Sequence, residues 1–298
     1  MYLIIRSFFY PQKSNTKLIR ILILISLFIT FNIIFYGSFI EPQVIQTKRT
    51  NISFSKTSET ENIKIVFLSD LHLGPYKQAD FVEKIMQKVD AENPDLILFG
   101  GDYIYGFEEN SHHLKPFIRW SEKYKDKMFA VTGNHEFNES KFNDPKFKDK
   151  TKIIREIFQK ANIKILDNAH KQVTINGQRF YIAGIADLWT GQADADKAIL
   201  DIDYSLPKIL LSHNPDILLE KASENFDLIL SGHTHGGQIR LPLIGSVPNI
   251  PDKLGRAYDK GLFKTKTGYL YISAGLGETG PRARLFNPPE LTIINLDL

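Results

Sequence analysis

The 298-residue chain has no cysteine. Without thiolates it can build no structural disulfide, zinc ribbon or iron–sulfur cluster, so any metal must be held by His, Asp, Glu or Asn, and the redox compartment stays open. A basic surplus is missing where a nucleic-acid binder needs one. The net charge is +3, but residues 1–20 carry Arg6, Lys13, Lys17 and Arg20 with no acid, and 21–40 are uncharged, which leaves 41–298 at −1. That part has no overall cationic field, and no nucleic-acid partner is expected. Internal repeats and low-complexity tracts are also absent. A hydrophobic content of 43% is enough for a packed core and excludes a disordered chain.

One long apolar run is present, ILILISLFITFNIIFYGSFI, at 21–40. At about 1.5 Å per residue a helix of that length covers roughly 30 Å, the thickness of a bilayer core. It exceeds a signal-peptide apolar region, and no small-x-small site follows Phe39, so an uncleaved transmembrane anchor is expected. The basic flank before the run outweighs Glu41, Lys48 and Arg49 after it, which favours an inside N-terminus and an exported catalytic domain. The expected organisation is a basic segment 1–20, an anchor 21–40, a polar connection 41–61 and one domain over 62–298.

Beyond the connection, apolar runs of strand length alternate with helix-period segments, which predicts an α/β layered domain. Strands are expected at 64–68, 96–99, 128–131, 208–211 and 228–230, with amphipathic helices at 80–89 and 153–161. Asn176-Gly177 signals a hairpin between strands at 172–175 and 179–183, and further strands are expected at 269–273 and 291–296.

Five polar blocks stand at the ends of these runs: Asp70-Leu71-His72, Gly101-Asp102, Gly133-Asn134-His135-Glu136, Ser212-His213-Asn214 and Gly232-His233-Thr234-His235. Ligands of open α/β sheets gather just beyond the carboxyl ends of strands, so five strand ends can surround one crevice. Five of the eight histidines lie in these blocks, and only His112, His113 and His170 lie elsewhere. Imidazole nitrogens with carboxylate or amide oxygens suit Mn²⁺, Fe or Zn²⁺ better than Ca²⁺, and Mn²⁺ is the first choice. Two dications outweigh the charge of Asp70 and Asp102, and the surplus can activate water and neutralise a phosphoryl oxygen.

The five blocks resemble the calcineurin-like metallophosphoesterase superfamily over 62–298. The resemblance implies a four-layer α/β/β/α sandwich with two metal ions at the sheet ends. It places Asp70, His72 and His235 on the first ion, Asn134, His213 and His233 on the second, and Asp102 between them. It assigns His135, which neither shell needs, the part of catalytic proton donor or transition-state stabiliser. Two positions depart from the pattern: Glu136 stands where the family often has Asp, and Ser273-Ala274 precede Gly275 where a basic residue is common.

Further segments resemble a membrane-anchored bacterial branch of that superfamily: Gly236-Gly237-Gln238-Ile239 with Leu241-Pro242, His213-Asn214-Pro215-Asp216, Arg284 through Glu290, and Ile40-Glu41-Pro42. That branch includes relatives of the UDP-2,3-diacylglucosamine pyrophosphatase of lipid A biosynthesis. The implied protein is a single-pass hydrolase of a bacterial inner or plasma membrane, acting on a phosphodiester or lipid-linked pyrophosphate, with the bilayer as partner. A nucleotide-linked lipid calls for the cytoplasmic face, against the flank charges, so the side is open. The alternatives are a general or nucleotide phosphodiesterase outside the cytoplasm and a silent, membrane-tethered metal-binding scaffold. No substrate-binding residue is assigned. Arg256, Arg282 and Arg284 are each expected as solvated surface charge rather than a head-group clamp, Asp187 as a crevice or turn residue, and His112 and His113 as exposed.

Overall fold

The nine runs expected as strands, with three more at 46–53, 163–165 and 261–264, pair into two six-stranded sheets. The computed structural model of the chain describes residues 14–54, 62–137 and 149–298. Arg6, Lys13 and the end of the expected connection, 55–61, fall outside the described residues. The first sheet contains β1 (Gln46–Ser53), β2 (Ile63–Leu68), β3 (Leu96–Phe99), β4 (Met128–Ala130), β5 (Ile163–Ile165) and β14 (Glu290–Asp297), in the order β1-β14-β2-β3-β4-β5. The second contains β6 (Ala169–Ile175), β7 (Gln178–Gly184), β8 (Lys208–Leu211), β9 (Leu228–Ser231), β12 (Gly261–Lys264) and β13 (Tyr269–Ile272), in the order β12-β13-β9-β8-β7-β6. β2 to β5 are parallel, as are β7, β8, β9 and β13.

Period-two burial explains the layering. On β2, Val66 and Leu68 face helices α2 (Ala79–Glu92) and α3 (Thr151–Lys160), whereas Ile63, Ile65 and Phe67 face the second sheet. On β9, Leu228 and Leu230 point between the sheets and Ile229 points to the outer layer. Both faces of the central strands are therefore apolar, and each fully buried side chain of this kind contributes about 2 kcal/mol. Helix α2 buries Phe81, Val82, Ile85, Met86 and Val89 at the expected spacing and ends at Asn93, whose φ of +48° is a left-handed cap. The fourth layer is thin: α4 (Ala195–Ala198) and 3₁₀ turns at Pro215–Leu219 and Lys221–Asn225. The hairpin at Asn176-Gly177 forms as expected, with φ of +49° and +77°.

Three expectations need correction. Residues 46–53 are not a simple connection: they form β1, in register beside β14 over its whole length. Their polar sequence, QTKRTNIS, hides this because an edge strand is held by backbone pairing and buries only Ile52 fully. His113 is buried, because the long 3₁₀ segment Glu108–Trp120 turns His113, Leu114 and Phe117 inward while His112 stays exposed. Arg284 is fully buried, for reasons that belong to the site below.

The apolar run at 21–40 is helical. Helix α1 (Ser14–Phe35) continues through a π turn, Tyr36–Ile40, into a 3₁₀ turn, Glu41–Gln43. Among the described residues, Thr16–Gln43 is one helix long and apolar enough to cross a membrane.

Candidate metal centre

β2, β3 and β4 are neighbours in one sheet, β8 and β9 in the other, and their carboxyl ends converge. The loop after β2 carries Asp70 and His72, that after β3 carries Asp102, and that after β4 carries Asn134 and His135. From the second sheet, β8 delivers His213 and β9 delivers His233 and His235. Adjacent loops are hydrogen-bonded to one another, with Asp70 N–H donating to Gly101 O at 3.0 Å and Gly232 N–H to His213 O at 3.0 Å. All five blocks therefore meet at one site.

The chain turns sharply there. Asp70, His72, Asp102, His233 and His235 have φ between +43° and +69°, a left-handed conformation uncommon for non-glycine residues and concentrated at functional sites. Glycine permits the close approach at two points. A Cβ at Gly133 would lie 2.3 Å from Asp102 Oδ1, and one at Gly232 would lie 1.9 Å from Ser69 Oγ and 2.3 Å from Asp70 Oδ2.

Two donor clusters result, joined by a third that shares a residue with each. Asp70, His72 and His235 bring their ligand atoms within 4.8 Å of one another, as do Asp102, His213 and His233; in the third, His72 and Asp102 come equally close to His135. His72 Nε2 lies 3.0 Å from His235 Nε2 and 3.5 Å from Asp102 Oδ2, while His213 Nε2 lies 3.1 Å from Asp102 Oδ2 and 3.2 Å from His233 Nδ1. Asp102 thus reaches toward both clusters. Asn134 is buried at the same strand end. His135 is partly exposed, and its Nε2 is 4.0 Å from Asp102 Oδ2.

The electrostatics fit divalent cations. Burial, and then neighbouring His135, hold His72 well below the ordinary imidazole range; burial and His72 do the same to His235. Both are therefore neutral, as ligands must be. Burial opposes ionisation of Asp102, but His213 and His135 outweigh it and hold that carboxyl well below its usual range. Burial likewise opposes a charge on His213, yet Asp102, Asp70 and Asp187 raise it well above normal. A cation beside Asp102 would take the place of that proton, since Nδ1 of His213 already faces Gly100 O at 2.7 Å and leaves Nε2 for the crevice.

Further residues support the site, and of these Asp252 and Trp189 carry no local sequence signal. The Glu136 carboxylate accepts the N–H groups of Asp102, Tyr103 and Gly133, each at 2.8 Å, and ties the β3 loop to the β4 loop; burial and Asp102 push it up to about 8. Asp252 is buried with Oδ1 3.2 Å from His233 Nε2. Asp187 both turns the chain, accepting Thr190 N–H at 2.7 Å, and borders the crevice, where Trp189 sets its ring edge-on to His233 at 4.1 Å. Arg284, expected at the surface, instead donates to the carbonyls of Ala274, Gly275 and Gly277 and sits 3.8 Å from Glu278. It braces a loop that supports Asp70, for Gly277 N–H donates to Asp70 O at 2.6 Å. Arg256 is exposed as expected, and Arg282 is half-buried.

Residues 63–237 match the family model described as calcineurin-like phosphoesterase. Similar proteins include the uncharacterized metallophosphoesterase YkuE of Bacillus subtilis, 29% identical, with 88% of each chain covered. Phosphodiesterase YaeI of Escherichia coli is 31% identical, over 88% of this chain and 92% of that one. UDP-2,3-diacylglucosamine pyrophosphatase LpxG of Chlamydia muridarum is 29% identical, over 87% of this chain and 91% of that one. With matching strand ends, donor clusters and family model, the chain belongs to the calcineurin-like phosphoesterases and is a hydrolase.

Proposed function

We propose that the protein is a membrane-anchored, dinuclear metal-dependent phosphohydrolase that cleaves a lipid-linked phosphodiester or pyrophosphate, with UDP-2,3-diacylglucosamine as the candidate substrate. The observation that carries the reading is the pair of donor clusters meeting at Asp102, with His135 beside them. Asp70, His72 and His235 would hold one ion, Asn134, His213 and His233 the other, and Asp102 both. Two divalent ions, Mn²⁺ first and Fe or Zn²⁺ next, supply Lewis-acid charge and acidify water when bound. His135 is fixed by its backbone N–H, which donates to Asp102 Oδ1 at 2.9 Å, and its ring is left to stabilise or protonate the leaving oxygen. Similarity to the Chlamydia pyrophosphatase supports the lipid-linked substrate.

A second reading, a general phosphodiesterase, is favoured by similarity to the Escherichia coli phosphodiesterase. One experiment separates them. The full chain is stripped of metal, reloaded with Mn²⁺, Fe²⁺ or Zn²⁺ separately, and assayed for UMP release from UDP-2,3-diacylglucosamine beside bis-p-nitrophenyl phosphate and cyclic nucleotides. Metal-dependent UMP release is expected. Cleavage of water-soluble diesters alone sinks the lipid-linked reading, and a metal-loaded protein inert to every ester leaves the silent scaffold. The anchor is the uncharged run 21–40 within helix 16–43, and protease protection in intact cells or spheroplasts reports which face carries the site.

A further inference from the structure

The spanning helix does not simply tether the domain. Gly37 lies inside the uncharged run 21–40, yet it is buried: its carbonyl accepts Arg284 N–H at 2.8 Å, and a Cβ there would lie 3.1 Å from Arg284 O and 3.8 Å from the Leu285 side chain. Just after the run, the Glu41 carboxylate accepts the N–H groups of Phe286 and Asn287, and Lys77 Nζ donates to Pro42 O. These bonds clamp helix and domain together.

The clamp fixes a depth. At about 1.5 Å per residue, Gly37 is some 4 Å inside the end of an apolar run that matches a bilayer core. Whatever surface touches it must lie at the boundary of head groups and acyl chains. That surface is apolar and exposed. Phe286 is 58% exposed, and beside it runs the short hairpin of β10 (Arg240–Leu241) and β11 (Gly245–Ser246), whose tip presents a fully exposed Leu243 and Ile244 at 66%. The hairpin is joined to the clamp by Arg240 N–H donating to Leu285 O at 2.9 Å and Leu285 N–H donating to Gln238 O at 3.0 Å. Arg282 lies over the rings of Phe39 and Tyr76 at 5.2 and 5.4 Å, a cation among aromatics such as membrane interfaces favour.

We infer that the 240–246 hairpin and Phe286 form a second membrane contact that embeds Leu243 and Ile244 in the lipid interface. The inference rests on the anchor reading above. It also brings the metal centre to the bilayer, because Asn287 Nδ2 donates to His235 O at 2.7 Å and the hairpin begins five residues after His235. A phosphoester whose acyl chains remain in the membrane can then reach the site without leaving it.

The cysteine-free chain makes the test direct. Ile244→Cys and, as control, Leu200→Cys each accept one fluorophore; Leu200 is exposed just past α4, whose Ala198 carbonyl lies against His170 at the opposite sheet edge. The full chain is placed in phosphatidylethanolamine–phosphatidylglycerol vesicles and titrated with nitroxide-labelled lipid or aqueous iodide. At 244, emission should be blue-shifted, lost to lipid nitroxide and resistant to iodide, with the reverse at 200. Equal iodide quenching at both positions in a carbonate-resistant, vesicle-bound chain overturns the hairpin contact alone. Shielding of 244 from both quenchers, with cross-linked dimers, overturns it in favour of a second copy. A chain that carbonate extracts overturns the anchor as well. None of these readouts depends on hydrolysis.

Discussion

Asp252 tests whether the carboxylate behind His233 governs metal affinity. His233 turns Nδ1 toward His213 Nε2 at 3.2 Å and Nε2 toward Asp252 Oδ1 at 3.2 Å, and all three residues are buried. With a metal ion on Nδ1, Nε2 would carry the proton; Asp252 Oδ1, 3.2 Å away but without a hydrogen bond in this geometry, would accept it once the ion sets the ring, and such a partner fixes ring orientation and raises ligand basicity. A charged hydrogen bond of this kind is worth about 1.5–3 kcal/mol and a neutral one about 0.5–1.5. Asp252→Ala removes the acceptor and should weaken binding of the ion at His233 by about 10- to 100-fold, the range for such outer partners. That loss corresponds to about 1.4–2.8 kcal/mol, which agrees with the hydrogen-bond range. Asp252→Asn keeps a neutral acceptor, so its loss should be about 3- to 10-fold. Chelator-competition titrations on the detergent-solubilised full chain, with thermal melts to confirm folding, measure both. Folded Asp252→Ala protein with parental affinity, or Asn weaker than Ala, would refute the reasoning.

Asp102→Ala should lose both ions and nearly all activity, whereas His135→Ala should keep its metal and slow turnover by about 10²- to 10⁴-fold, the range of acid–base effects; metal analysis of a His135→Ala protein found empty would contradict this division. Gly232→Ala forces a methyl against Ser69 Oγ and Asp70 Oδ2 and should cost at least about 1–3 kcal/mol in urea unfolding, as overpacked cores do. Parental stability in that variant would mean that the contact is not tight. Burial lowers Lys77 to about 8 from 10.5, so between those values the unfolded chain binds more protons and stability rises with pH, by about 3 kcal/mol in all. Below pH 8 both states are protonated and the full cost of the buried charge remains. Unfolding of Lys77→Met across pH 8 to 10.5 should lack that rise, and an unchanged slope would assign the titration elsewhere.

How much of this was legible in sequence depended on whether the cause was local. Central strands were readable because both faces of β2, β3, β8 and β9 are buried and their runs are continuously apolar. The site blocks were readable because each polar group directly follows its strand, and in three of the five a glycine, Gly101, Gly133 or Gly232, stands beside it. β1 was not: its seven polar residues and lone Ile52 are a strand only because β14 lies beside them. Arg284 reads as a surface charge by itself, and its burial depends on carbonyls brought to it by the 274–277 loop. Asp252 has no motif around it and acquires a role from His233, nineteen residues away in sequence.

By itself, then, the sequence determined the α/β layering, the membrane-length helix and the identities of the converging donors, since periodicity, run length and strand-end chemistry are properties of short segments. Only the tertiary structure decided which carboxylates stand behind those donors and how the helix end is clamped beside the metal centre. Those depend on contacts between residues far apart in sequence, such as Glu41 with Asn287 and Gly37 with Arg284, which no local pattern encodes.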